Sequence, residues 1–154
     1  MPPRPKVSRR PQRTPSKRRA SASPVELWRL AAPGPTPDAI RAVERGLPIT
    51  TIDALRRVLR GDEIDRLVIP RRTLTHRRLH GEPLSAEESD RVLRIARVIK
   101  AASTALGSEA RGLDWLRDKH DLLDGRAPLT LSKTDAGARL VENMLARLAW
   151  GAAL

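Results

Sequence analysis

Cysteine, tyrosine and phenylalanine are absent from this chain, and Trp28, Trp115 and Trp150 are its whole aromatic content. Without cysteine there is no disulfide framework and no thiol nucleophile, which fits a reducing compartment. With so few aromatics, a core over 154 residues has to be built from Leu, Ile, Val and Ala. That palette favours helices over sheets, so an all-α fold is expected. No apolar run approaches the ~18 residues that a membrane span needs. The opening MPPRPKVSRRPQR has no apolar segment behind its charges, as a secretory signal would. It is Arg- and Ser-rich like an organelle transit peptide, yet its prolines argue against the amphipathic helix such a peptide needs. A cytoplasmic protein is expected.

Acids are missing from the first 25 positions. Glu26 is the first, and eight bases from Arg4 to Arg19 precede it. Residues 24–81 carry eleven bases and seven acids, and residues 82–154 carry eleven of each. The formal net charge of +12 therefore lies wholly in the N-terminal half. A charge kept for solubility has no reason to be one-sided. A polyanion-facing half joined to a neutral half points to two tasks. Residues 1–23 have almost nothing to bury and are expected to be a disordered basic tail with polyproline-like stretches. The tail reads either as a solubilising leader or as an arm that contacts phosphates, steepening salt dependence through counterion release.

From Val25 onward the punctuation is helical. In TPDAIRAV, Thr36 stands as an N-cap with Pro37 at the first helical position, where a missing N–H costs nothing. Gly46 to Pro48 stop that helix. A new one starts at Thr51, with Ile52, Leu55, Val58 and Leu59 at helical spacing, and Gly61 is expected to end it. A short helix from Asp62 to Val68, a corner at Ile69-Pro70 and a basic helix closed by Gly81 follow. That order is the layout of a helix-turn-helix, whose second helix enters the major groove.

The basic helix, RRTLTHRRLHG, holds four arginines, two histidines and two threonines without an acid. At 100° per residue, Arg71, Thr75 and Arg78 share a face. Leu74 and Leu79 are the expected anchors. So little apolar surface makes the helix marginal alone, and its arginines repel one another. It reads either as a solvated surface or as a helix whose repulsion a phosphate backbone relieves. His76 and His80 have the i, i+4 spacing of a zinc pair, but the intervening Glu of H-E-x-x-H is replaced by arginines and no third ligand presents itself; no metal site is expected. His120 with Asp114, Asp118 or Ser132 lacks any strand-turn-helix elbow, and no Gly-rich phosphate loop exists. No catalytic set is expected.

SAEE at 85–88 is a capping box, Ser85 with Glu88. The helix it starts should run to about Leu106, with Val92, Ile95, Ala96, Ile99, Ala102 and Leu106 on one core-facing stripe. Gly107 stops it and Ser108 caps the next, which holds Leu113, Trp115 and Leu116. LLDGRAPLTLSKT reads as a turn-rich link. Thr134 and Asp135 begin a last helix with Val141, Met144, Leu145 and Leu148 as its apolar stripe, ending at Trp150 and Gly151.

The ordered series RRTLTHRR, GEPLSAEESDRVLRIARVI, Trp115-Leu116, DGRAPL and TDAGARLVENMLARLAWG closely resembles the MbcA/ParS/Xre antitoxin family over about residues 46–151. The matching positions are Arg72, Thr73 and Leu74; Leu84, Ser85, Glu88, Ser89, Asp90 and Arg91; Trp115 and Leu116; Gly125, Pro128 and Leu129; and Thr134, Gly137, Ala138, Val141, Leu145 and Gly151. The family often has Pro-Asn where this chain has Lys119-His120, and Gly-Gly where it has Asp124-Gly125.

The resemblance implies an Xre-like DNA-binding region, taken as residues 24–81, followed by a small helical toxin-binding domain, residues 82–154. It implies a RES-domain toxin as partner, an enzyme that consumes NAD or transfers ADP-ribose from it, and operator DNA. The chain itself would need no cofactor. It would act as a homodimer within a toxin–antitoxin hetero-oligomer, neutralising the toxin and repressing the shared operon. Arg71, Arg72, Arg77 and Arg78 are expected to carry DNA binding, with Thr73 and Thr75 as lesser contacts. For the toxin, the expected surface is Arg147, Trp150, Gly151, Ala152, Ala153 and Leu154. Trp150 either packs on the chain's own core or leaves it for the partner, where the end of the chain blocks the NAD pocket and its carboxylate mimics a phosphate. A stand-alone transcription regulator and a small basic RNA-binding protein are the alternatives.

Overall fold

The computed structural model describes residues 24–151. The expected disorder of residues 1–23, and the residues Ala152, Ala153 and Leu154, lie outside the described residues. Nine α-helices and no strand occur among the described residues: α1 (Pro24–Leu30), α2 (Pro37–Arg45), α3 (Thr50–Leu55), α4 (Gly61–Leu67), α5 (Arg71–His80), α6 (Ala86–Leu106), α7 (Glu109–Arg117), α8 (Pro128–Leu131) and α9 (Asp135–Ala149). None is long and apolar enough to cross a membrane.

Four of these helices begin on a side-chain cap. The Thr36 hydroxyl accepts from the Ala39 N–H, Ser108 from Arg111 and Thr134 from Gly137. Ser85 accepts from the Glu88 N–H at 3.1 Å while Glu88 Oε2 accepts from the Ser85 N–H at 2.8 Å, the reciprocal box. Two boundaries depart from expectation. α3 stops at Leu55 and residues 56–58 continue as tighter turns, although Ile52, Leu55 and Leu59 still point into the core. Gly61 opens α4 instead of closing α3. The cause is Arg60, which is extended (φ −72°, ψ 157°) and donates its N–H to Glu63 Oε2 at 2.8 Å, so the chain restarts one residue later.

A single apolar cluster runs from Leu27 through α6 to Leu145. α6 is its axis. Val92, Ile95, Ala96, Ile99 and Ala102 are buried as expected, but so are Leu93 and Val98. The helix is therefore covered by α1 and α2 on one side and by α7 and α9 on the other, which a single stripe did not anticipate. Backbones meet closely at two glycines. A Cβ on Gly112 would lie 2.7 Å from the Ser103 backbone N, where α7 crosses α6. At Gly46 (φ 81°) it would lie 2.3 Å from the Leu84 carbonyl oxygen. That approach lets Leu84 N–H donate to Leu47 O (2.9 Å) and Leu47 N–H donate to the buried Ser89 hydroxyl (2.8 Å). The start of α6 is thereby tied to the corner before α3.

The link after α7 holds more structure than a run of turns. His120 and Arg126 form an isolated antiparallel bridge around a 3-10 turn, Asp121–Leu123. Asp124 adopts φ 53°, ψ 41° with Gly125 following at φ 68°. Aspartate tolerates the left-handed region better than most residues, so the chain makes the turn with one glycine rather than two.

Candidate functional site

α5 is set by three attachments. Pro70 (φ −57°, ψ 139°) turns the corner, and Asp65 Oδ1 accepts from the Arg71 N–H, capping the helix from the preceding element. Leu74 is buried at 4% exposure. The second expected apolar anchor is absent: Leu79 is 78% exposed. Its place is taken by Arg77, whose Nε lies 2.8 Å from Glu88 Oε2, off the N–H axis, while Nη1 donates to Glu82 Oε2 at 3.3 Å and to Pro83 O at 3.2 Å. The inner side of α5 is therefore Thr73, Leu74 and Arg77.

The outer side gathers Arg71, Arg72, Thr75, His76, Arg78 and Leu79 at the surface. The Thr75 hydroxyl donates back to Arg71 O at 2.9 Å. Arg78 is paired with Asp53 on α3. His76 and His80 stack with ring centroids 4.2 Å apart, and His80 Nδ1 lies 2.8 Å from the His76 carbonyl, so that nitrogen carries the proton. Among the described residues no group of three or more His, Asp or Glu is arranged around a common metal position. Of the six residues expected to face DNA, four are exposed; Thr73 is part-buried and Arg77 is turned toward α6. His76 and Leu79 share the exposed side with Arg72, at the i+4 and i+7 positions.

At the other end of the chain, Val141, Met144 and Leu145 seat α9 on the core. The stripe ends there. Trp150 is 89% exposed, so its ring does not pack on the chain's own core. Its N–H donates to Ala146 O at 3.1 Å, and Gly151 turns outward at φ 69°. Arg147 is exposed and forms no ion pair among the described residues.

α4 and α7 are clasped by Glu63 and Arg117. Arg117 Nε donates to Glu63 Oε1 at 2.8 Å and Nη2 to Oε2 at 2.9 Å, with a further bond from Nη2 to Val58 O at 3.1 Å. The Glu63 side chain is 7% exposed. Burial pushes its carboxyl up, but the hydrogen bonds from Arg117 and the Arg60 N–H together outweigh burial and hold it below the ordinary value. Arg97 on α6 adds a second tie, to Glu142 of α9 at 3.2 Å.

Known proteins share both halves. Residues 38–97 match the family model of the antitoxin Xre-like helix-turn-helix domain, and residues 101–151 that of the antitoxin Xre/MbcA/ParS C-terminal toxin-binding domain. A Pseudomonas putida (strain KT2440) protein named antitoxin Xre is 34% identical over 84 residues, covering 54% of this chain and 53% of its own length. One of the same name from Yersinia enterocolitica serotype O:8 is 36% identical over 84 residues, covering 54% and 57%. The similarity thus spans a little over half of either relative. A more distant Sphingobium sp. (strain YBL2) protein, named Prs ADP-ribosylating antitoxin, is 27% identical over 127 residues, covering 75% and 80%. With its helix-turn-helix at α4–α5 and the second module packed on the same long helix, the chain belongs to the Xre/MbcA/ParS antitoxin family.

Proposed function

We propose that the chain is a cytoplasmic antitoxin that binds and neutralises a cognate RES-domain toxin, and that it represses its own operon through α5. The observation that carries this reading is a pair of exposed surfaces on one core: the cationic outer side of α5, and Trp150 at the end of α9. Arg71 and Arg72, in the first turn of α5, are placed to meet base edges, since a recognition helix contacts them with its N-terminal residues. Arginine reads guanine bidentately there. Thr75 and Arg78 lie further along, and Arg78 exchanges Asp53 for a phosphate on docking. Leu79 offers apolar contact to a thymine methyl. Thr73 and Arg77 act from behind, Arg77 by fixing α5 against Glu82 and Glu88.

On the partner side, an exposed tryptophan flanked by Arg147 and Gly151 suits a pocket that desolvates it. Residues Ala152, Ala153 and Leu154 follow it into the toxin's NAD site. The name of the Sphingobium relative joins an antitoxin to ADP-ribosylation, which favours a partner that consumes NAD or transfers ADP-ribose from it. A homodimer within the hetero-oligomer would match a palindromic operator. The test is co-expression with the product of the neighbouring reading frame. The expected result is a complex without NAD turnover, with turnover restored, and the complex kept, on deleting residues 152–154. A truncated chain that still inhibits fully refutes the plug. A chain that binds a palindromic duplex and captures no partner is a stand-alone regulator, and one that prefers RNA is neither.

A further inference from the structure

A cleft of about 720 Å³ lies beside the α4–α5 corner, and both modules line it: Arg66 and Pro70 from the helix-turn-helix, Arg91 and Arg94 from α6, Lys133 and Thr134 from the start of α9. It runs past Arg66 and Lys133 into a second hollow of about 400 Å³ that adds Arg60 and Arg117. Four acids share these walls, and each is committed. Glu63 is held by Arg117, Glu87 by Arg91 and Asp135 by Arg139, while Asp65 accepts from the Arg71 backbone. Arg66 is paired with Asp62 at 2.7 Å. Two cations of the lining, Lys133 and Arg60, remain. Neither forms an ion pair among the described residues, although the Arg60 charge also acts on Glu63. Arg94 reaches Asp90 through Nη2 at 3.2 Å, but its buried Nε has no hydrogen-bond partner.

We infer that this cleft is a phosphate-binding groove that takes a backbone phosphate of the DNA flanking the site read by α5, with Lys133 as its principal cation; the inference rests on α5 binding DNA. Uncommitted cations lining a cleft whose acids are already committed suit an oxygen anion, and an ammonium binds phosphate well as a point charge. Position selects DNA over an acidic protein segment. Pro70, on the rim, is the residue before Arg71, so a duplex lying on α5 carries its flanking phosphates past the opening. Trp150, by contrast, sits at the far end of α9, about 22 Å from Asp135 at 1.5 Å per residue. The toxin-binding module would then itself touch the operator, through a residue outside the helix-turn-helix.

The test uses the full chain and a fluorescent duplex of the promoter region upstream of its own reading frame, titrated over a range of salt. Lys133→Ala is expected to reduce the slope of log K against log salt by about 0.9, the value for one lost phosphate contact, with sequence preference unchanged. Arg60→Gln keeps the backbone N–H that Glu63 uses, and it should weaken binding in the same sequence-independent way. If Arg72→Ala weakens binding while Lys133→Ala and Arg60→Gln leave the slope unchanged, the groove is overturned and the reading of α5 stands. If Lys133→Glu instead reduces capture of the co-expressed toxin at an unchanged slope, the occupant is an acidic protein segment and the groove is again overturned. A wild-type chain that binds no duplex removes both.

Discussion

Replacing Arg117 by methionine keeps an unbranched apolar stem and removes the guanidinium that holds Glu63. The carboxylate, 7% exposed, would keep one donor, the Arg60 N–H, and lose two at 2.8 and 2.9 Å; Val58 O would lose one at 3.1 Å. Breaking a buried pair by removing one partner costs about 3–5 kcal/mol. Arg117 itself retains 24% exposure, so water reaches the site and about 2–3 kcal/mol is the reasonable figure. For a chain near this size that is a fall in melting temperature of about 4–12 °C. The pH dependence has a definite sign. Glu63 is held below its ordinary value of 4.5, so the stability it contributes is present above that value and is lost as pH falls through its lower folded value. The difference between wild type and Arg117→Met, measured by urea unfolding with circular dichroism, should be full at pH 7 and shrink steadily below pH 4.5. Adding Glu63→Gln should recover part of the loss at pH 7, because a neutral amide still accepts from Arg60. A loss under about 0.5 kcal/mol, the usual size for an unremarkable surface change, or one equally large at pH 3 and pH 7, refutes the assignment.

Gly137→Ala places a Cβ 1.9 Å from Leu131 O, against backbone; it should cost about 1–3 kcal/mol or more, and a melting curve that overlays wild type would show that α8 and α9 can separate there. Arg72→Ala should weaken duplex binding by about 1–3 kcal/mol at an unchanged melting temperature. Arg77→Ala should lower the melting temperature, since it leaves Glu88, which is 11% exposed, without its ion pair and with the Ser85 N–H as its donor. Equal thermal effects from these two would mean that inner and outer sides of α5 are wrongly separated. Trp150→Ala should unfold within about 0.5 kcal/mol of wild type yet lose about 2 kcal/mol or more of partner affinity, as central interface tryptophans do; a large loss of fold stability would put the ring back on the core.

Caps were legible because they are local. Thr36, Ser85, Ser108 and Thr134 each satisfy an N–H three residues on, and nothing distant takes part. The family and the all-helical fold came from the same level, ordered motifs and periodic leucines. Gly61 was misread because glycine after an apolar run usually closes a helix, whereas here Glu63 reaches back to Arg60 and makes the glycine a first residue. Leu79 was misassigned for a different reason. A helical wheel shows which residues share a side but not which side faces in, and for α5 that choice is made by Glu82 and Glu88 holding Arg77. The second buried side of α6 depends on α7 and α9 folding back over it. Lys133 is a lone base in a turn, and its place in the cleft exists only once α4 and α9 have come together.

α6 spans 21 residues, a rod of about 31 Å at 1.5 Å per residue. The two family models divide along it, one ending at residue 97 and the other beginning at 101. Anyone building chimaeric antitoxins, with the operator preference of one and the toxin preference of another, would naturally cut at that seam. The cut would pass through the middle of a shared beam. Leu93 and Val98, both buried, would come from different parents, each shaped to neighbours the other never met. A chimaera that keeps its core has to carry α6 together with the helices on both of its sides, α1 and α2 as well as α7 and α9, because all of them share one apolar cluster.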